Sequence, residues 1–243
     1  MKTMKQNRRL PLLAAITIAG ALMLGLTACK STRQDRSVTE SGFLGDYSLL
    51  TKGTGDQAKM RYIAPNVDWK KYTKVYIEPV ELWKSDDATS PLGKLSKENQ
   101  DLLTSLFYTE LNNELQKSYT IVAAPGADTL VVHVAITEAK KSAPVRNLLT
   151  TIVPFGIAAN ILVTAAFGSG IGVGEVQAEC EILDGSTNQR LAAAVDRRVG
   201  TKAIRTKFDG TWGDVKLAFA YWSFALEAKL IDLRTGTDNG SKL

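Results

Sequence analysis

"EVQAECEILDGSTNQRLAAAVDRRVG", residues 175–200, reads as two strands around a turn. Over 175–183 polar and apolar side chains alternate, the period of a strand with two unlike faces. Val176, Ala178, Cys180 and Ile182 share one face; Glu179 and Glu181 share the other, which the alternation predicts to be solvated. "DGSTNQ" from Asp184 concentrates turn formers, and "RLAAAVDRRVG" returns as the partner strand. Outward from this hairpin, "TLVVHVAITEA" (129–139) and "YTIVAA" (119–124) predict strands split by the Pro125-Gly126 turn. "KVYIEPV" (74–80) predicts another, with Pro79 at an edge or a strand exit. Between them, Leu102, Leu103, Leu106, Phe107, Leu111 and Leu115 recur at helical spacing, with Ser96 as N-cap and an end near Lys117. A last helix follows Asp214, taken as its cap, with Val215, Phe219, Trp222 and Leu226 on one face. Strands with two such helices predict an α+β two-layer sandwich: a mostly antiparallel sheet with the helices packed on one face.

The first residues predict an address. Lys2, Lys5, Arg8 and Arg9 precede an apolar run from Leu10 to Leu26, the layout of a secretory signal. The run ends in Leu26-Thr27-Ala28-Cys29, which resembles the bacterial lipobox. That resemblance implies a diacylglycerol on Cys29, cleavage before it, and a further acyl chain such as palmitate on the new N-terminus. Several acyl chains give the stable anchoring that one short chain does not. Lys30, where an Asp would favour retention, implies the outer membrane. The expected organisation is a signal peptide over 1–28 and a flexible lipidated tether over 29–60. One domain follows over 61–236 with an apolar insertion at 147–174, then a flexible tail over 237–243. Within the tether, the patch around Phe43, Leu44, Tyr47, Leu49 and Leu50 is expected to dock on the domain.

Charge excludes one class of partner. The whole chain has 30 Lys and Arg against 25 Asp and Glu. Removing the four basic residues of 1–28 leaves 26 against 25, a balance that gives no reason for a nucleic-acid partner.

No catalytic set stands out. His133 is the single histidine, on a strand face opposite Leu130, Val132 and Val134, and reads as a structural imidazole. Cys180 loses a possible intramolecular partner once Cys29 carries lipid, and reads as a buried, inert thiol. Glu110 and Glu114 read as a solvated flank of the first helix. Asp196-Arg197-Arg198 is either an anion-recognition site or a surface ion pair. No zinc-type Cys/His spacing and no phosphate-binding loop occur, and no metal or other cofactor is expected beyond the acyl groups. The glycines from Gly168 to Gly174 lack the spacing and context of a dinucleotide fingerprint.

Residues 147–174 carry no charged side chain. Three readings stay open: a re-entrant or membrane-apposed hairpin, a packed apolar insertion, or an element for partner binding. Topology argues against a single span, because the predicted strands before and after it must share one sheet. Candidate interaction residues are Pro154, Phe155, Ile161 and Phe167 here, with Arg197 and Arg198.

The ensemble resembles a Gram-negative lipoprotein family, domain of unknown function 3313. The resemblance rests on the lipobox at Cys29, "SGFLGDYSLL" (41–50), the strand from Tyr72 to Val80 ending in "EPV", and "LAAAVDRRVG" (191–200). "TWGDVKLAFAYWSFALEAKL" (211–230) completes it, with Trp212 and Trp222 framing the last helix. Asn188 stands where the family's turn has glycine; Asn also tolerates a left-handed backbone, so the turn is expected to survive. The resemblance implies location and fold but no reaction. The expectation is a non-enzymatic outer-membrane lipoprotein on the periplasmic side, acting through contacts with other envelope proteins. The alternative is a periplasmic carrier or sensor of an apolar, lipid-like ligand.

Overall fold

The computed structural model describes residues 32–35, 37–83, 92–140, 174–200 and 212–237. Nine strands form one sheet: β1 (Thr32–Gln34), β2 (Thr51–Lys52), β3 (Met60–Ile63), β4 (Lys74–Ile77), β5 (Glu81–Leu82), β6 (Thr120–Ile121), β7 (Thr129–Lys140), β8 (Glu175–Asp184) and β9 (Arg190–Gly200). Their order is β2-β3-β9-β8-β7-β4-β6, with β1 also on β9 and β5 also on β7. The β8–β9 hairpin forms as the alternation predicts; it lies at the middle of the sheet, and β7 pairs antiparallel with β8 from Leu130↔Asp184 to Lys140↔Glu175. Asp184 closes the turn by accepting from the amides of Ser186 and Thr187, and Asn188 takes the left-handed conformation at φ 58°. The β4, β5 and β6 pairings are parallel. Parallel neighbours need a crossover. Helix α1 (Lys97–Leu115) lies between β5 and β6 in the chain and supplies it.

Helices α1 and α2 (Gly213–Thr235) pack on one face of the sheet. They run side by side in the same direction: Trp212 Nε1 donates to Asn99 near both starts, and Arg234 donates to the Ser118 carbonyl near both ends. The Phe107 and Phe219 rings stack between them, 4.3 Å apart and 4° from parallel. Leu103, Phe107, Leu111 and Leu115 are buried as the helical spacing predicts, whereas Leu102 is exposed. The α2 N-cap is Trp212 rather than Asp214. Asp214 lies buried in the first turn because its carboxylate accepts the amide of Gly174, just before β8.

The opposite face is covered too. The segment expected as a tether over 29–60 is part of the fold from Thr32: β1 pairs with the end of β9 through Thr32↔Gly200 and Gln34↔Arg198. The physical reason is twofold. An unpaired strand edge offers β1 its hydrogen bonds, and Phe43, Leu44 and Leu50 bury against Ala135, Ala193 and Val195. The expected docking of this patch is what the structure shows for Phe43, Leu44, Tyr47 and Leu50, whereas Leu49 is exposed. Among the described residues no helix is long and apolar enough to cross a membrane.

Candidate functional site

The strapped face of β8 carries a row of buried polar groups. Glu175, Gln177, Glu179 and Glu181 point to it, alternating with Val176, Ala178, Cys180 and Ile182. Glu179 and Glu181, expected on a solvated face, are 0% and 9% exposed. The correction has a specific cause: residues 37–50 lie over them as a strap. Gln177 holds Thr39 through both its amide and its carbonyl, accepting from the Thr39 N–H at 3.0 Å and donating to the Thr39 carbonyl at 2.7 Å. Glu179 accepts from the Ser41 amide at 2.9 Å and from the Tyr47 hydroxyl at 2.5 Å. Arg190 donates to Glu181 at 2.7 Å and to the Asp46 carbonyl at 2.8 Å. The strap can turn back on itself because Gly42 and Gly45 take φ of +91° and +68°, a region that L side chains rarely adopt.

His133 sits at the edge of this face. Its Nδ1 is 3.0 Å from Glu181, and its Nε2 is 3.3 Å from Glu81 and 3.7 Å from Glu78. The Phe43 ring covers the imidazole at 4.5 Å, and Trp83 packs edge-on against Phe43 while donating to the Ser41 carbonyl. The hydrogen bond to Glu181 raises the His133 pKa above its ordinary value despite partial burial. Burial pushes Glu181 upward, but the bonds from His133 and Arg190 outweigh it and hold the carboxyl below its ordinary range. The cluster therefore sets the imidazole between the carboxylates of Glu181, Glu81 and Glu78, an arrangement that ties strands and strap together.

Arg197 and Arg198 point to opposite faces. Arg197 pairs with Glu138 at 3.0 Å, with Asp35 at 3.4 Å, and with Glu175. Arg198 donates to the Thr32 hydroxyl and carbonyl and stacks on the Tyr221 ring at 3.6 Å. The structure therefore places both proposed interaction residues in intramolecular contacts, as the ion-pair reading of the triplet has it, but inside the fold rather than at its surface. Asp196 accepts from Gln34 and Trp222; burial nevertheless raises its pKa. Cys29, Leu26, Thr27, Ala28, Pro154, Phe155, Ile161 and Phe167 lie outside the described residues.

Between α2 and the sheet lies an apolar cavity of about 50 Å³, walled by Ala178, Cys180, Ala194, Trp222 and Leu226, with Asp196 at its side. Its size suits a few waters or one small side chain, far below the several hundred Å³ of ordinary ligand pockets. Burial pushes the Cys180 thiol up to about 12, so it stays protonated, in line with the inert reading. Among the described residues no group of three or more His, Cys, Asp or Glu side chains is arranged to hold a metal ion.

What sequence reasoning missed is the strap's grip on β8. The signal was present as Ser41, Gly42, Gly45 and Tyr47 within a short apolar patch, but nothing local names their acceptors.

The sequence model of the family described as "Protein of unknown function (DUF3313)" matches residues 39–226. The chain belongs to this family. The DUF3313 match starts at Thr39, so nearly all of the strap is within the family's own domain, and it ends at Leu226 inside α2. No curated protein matches the chain. Among solved structures, it is similar to the PelC dodecamer from Paraburkholderia phytofirmans: 12% identity, 72% of this chain and 94% of that one, TM-score 0.34. A Xanthomonas campestris protein of the DUF330 family has 11% identity, coverage of 73% and 95%, and TM-score 0.38. Rare lipoprotein B from Shewanella oneidensis has 11% identity, coverage of 67% and 96%, and TM-score 0.28.

Proposed function

We propose that this DUF3313 chain is a non-enzymatic lipoprotein of the outer membrane, facing the periplasm, anchored by acyl chains on Cys29 and acting through contacts with other envelope proteins. The observation that carries the reading is how its reactive side chains are occupied. His133, Glu179, Glu181, Arg190 and Arg197 each hold the strap or a neighbouring strand. None of them lines the cavity beside α2, where Cys180 is a protonated thiol and Asp196 is held by Gln34 and Trp222. The other route to function, carriage of an apolar ligand, finds only about 50 Å³ in that cavity. The lipobox at Leu26 to Cys29 supports the anchor.

The test pairs Cys29→Ala with the native chain in cells fed labelled palmitate. The native chain is expected to take up label and to sediment with outer-membrane fractions, and the variant to do neither. Cross-linking in intact envelopes is expected to capture a stoichiometric protein partner. Equal labelling of both chains would overturn the anchor; a bound lipid with no protein partner by native mass spectrometry would favour the carrier.

A further inference from the structure

The strand pairings gather several points of the chain at one end of the sheet. Thr32 pairs with Gly200, Lys140 with Glu175, and Glu175 with Val199. The Gly200 amide donates to the Gly174 carbonyl, and the Gly174 amide donates to Asp214 in the first turn of α2. The packing there is close: a Cβ on Gly200 would fall 2.3 Å from the Asp214 carboxyl carbon. The start of β1, the end of β7, the start of β8, the end of β9 and the start of α2 therefore share one end. The opposite end carries the Asp184 turn, where Tyr72 and Lys71 both bind the Asp184 carboxylate.

Three stretches of sequence leave the shared end. Cys29 stands three positions before Thr32, and three residues span at most about 10–11 Å. Residues 141–173 join β7 to β8, with no charged side chain from 147 onward. Residues 201–211 join β9 to α2 and include Lys202, Arg205 and Lys207 against one acidic residue, Asp209. One leash fixes a point and leaves the domain free to tilt. An acyl anchor, an uncharged stretch and a basic stretch leaving together favour one face, because apolar residues and Lys or Arg are what an anionic bilayer surface attracts.

We propose that the end of the sheet bearing Thr32, Glu175 and Gly200 is the face this domain turns to an anionic phospholipid surface. The inference rests on the lipidation of Cys29 proposed above. It places the Asp184 turn away from the bilayer: β7 has 12 residues, and at about 3.3 Å per residue such a strand is about 40 Å long.

The test uses the full lipidated chain in vesicles of phosphatidylethanolamine and phosphatidylglycerol. In a Cys180→Ala background, an environment-sensitive label is placed at exposed Arg33 (Arg33→Cys) or at exposed Ser186 (Ser186→Cys). Mass spectrometry first reads the acyl groups, and circular dichroism the fold. With a quencher on the lipid headgroups, the label at position 33 is expected to be quenched several-fold more than the label at 186. Equal quenching, or stronger quenching at 186, on an acylated and folded chain would overturn the orientation and leave the lipoprotein reading intact. A chain without acyl groups would overturn both. Replacing phosphatidylglycerol with phosphatidylcholine is expected to narrow the difference; an unchanged difference would remove the anionic surface from the proposal.

Discussion

On the helix-covered face, Phe107, Phe219, Leu130, Val132 and Val134 exclude water by bulk, and no polar bond is needed to hold them there. On the strapped face a small apolar group around Phe43, Leu44 and Val195 lies beside Gln177, Glu179 and Glu181, each matched to a donor or acceptor on the strap or on a neighbouring strand. The first face gains from area and tolerates imprecision of direction. The second sits close to neutral when complete and is costly when a partner is missing, because a buried polar group left alone loses its water without replacement. A sheet can thus use one face to stabilise the fold and the other to fix which segment lies on it.

The largest break in this comparison comes from Phe219→Ala. The ring is fully buried and stacked on Phe107, so its removal is expected to lower unfolding free energy by about 3–5 kcal/mol in urea titrations. Glu179→Ala should follow at about 1–3 kcal/mol, since it strands the Ser41 amide and the Tyr47 hydroxyl; proteolysis between 37 and 50 should quicken with it. If Glu179→Ala costs as much as Phe219→Ala, the contrast between the faces is wrong. Tyr47→Phe removes one of those donors with little change in shape and is expected to cost about 1 kcal/mol by the same titration.

The smallest effect is a pH dependence. The His133 pKa in the fold lies above its ordinary value of 6.5, chiefly through Glu181, so the folded state binds that proton more tightly. Its stabilisation is complete below about pH 6.5, and is lost as pH rises through the folded value. Thermal unfolding of the native chain should show this decline between weakly acidic and weakly alkaline pH, and His133→Gln should flatten it. An unchanged slope in the variant would assign the dependence to another group.

Much of the architecture was legible in residues. Alternation over 175–183 and the Asp184 turn cluster predict the hairpin, because strand period and turn chemistry are local. The helical spacing of Leu103, Phe107, Leu111 and Leu115 gives α1 and its buried stripe. The placing of Asp214 was not legible: an Asp before an apolar run has the form of a cap, and only the nearby Gly174 amide turns it into an inner contact.

By itself the sequence determined the α+β class, the β8–β9 hairpin, the helix stripes and the membership suggested by its ordered motifs. Each of these depends on spacing between near neighbours. Tertiary structure alone decided that Glu179 and Glu181 are covered, that Arg197 and Arg198 are bound internally, and that residues 32–60 belong to the domain. A two-residue period separates two faces of a strand but does not say what will lie on either. The groups that cover Glu179 are Ser41 and Tyr47, 138 and 132 positions away in the chain, and such a contact exists only after the sheet has formed beneath them.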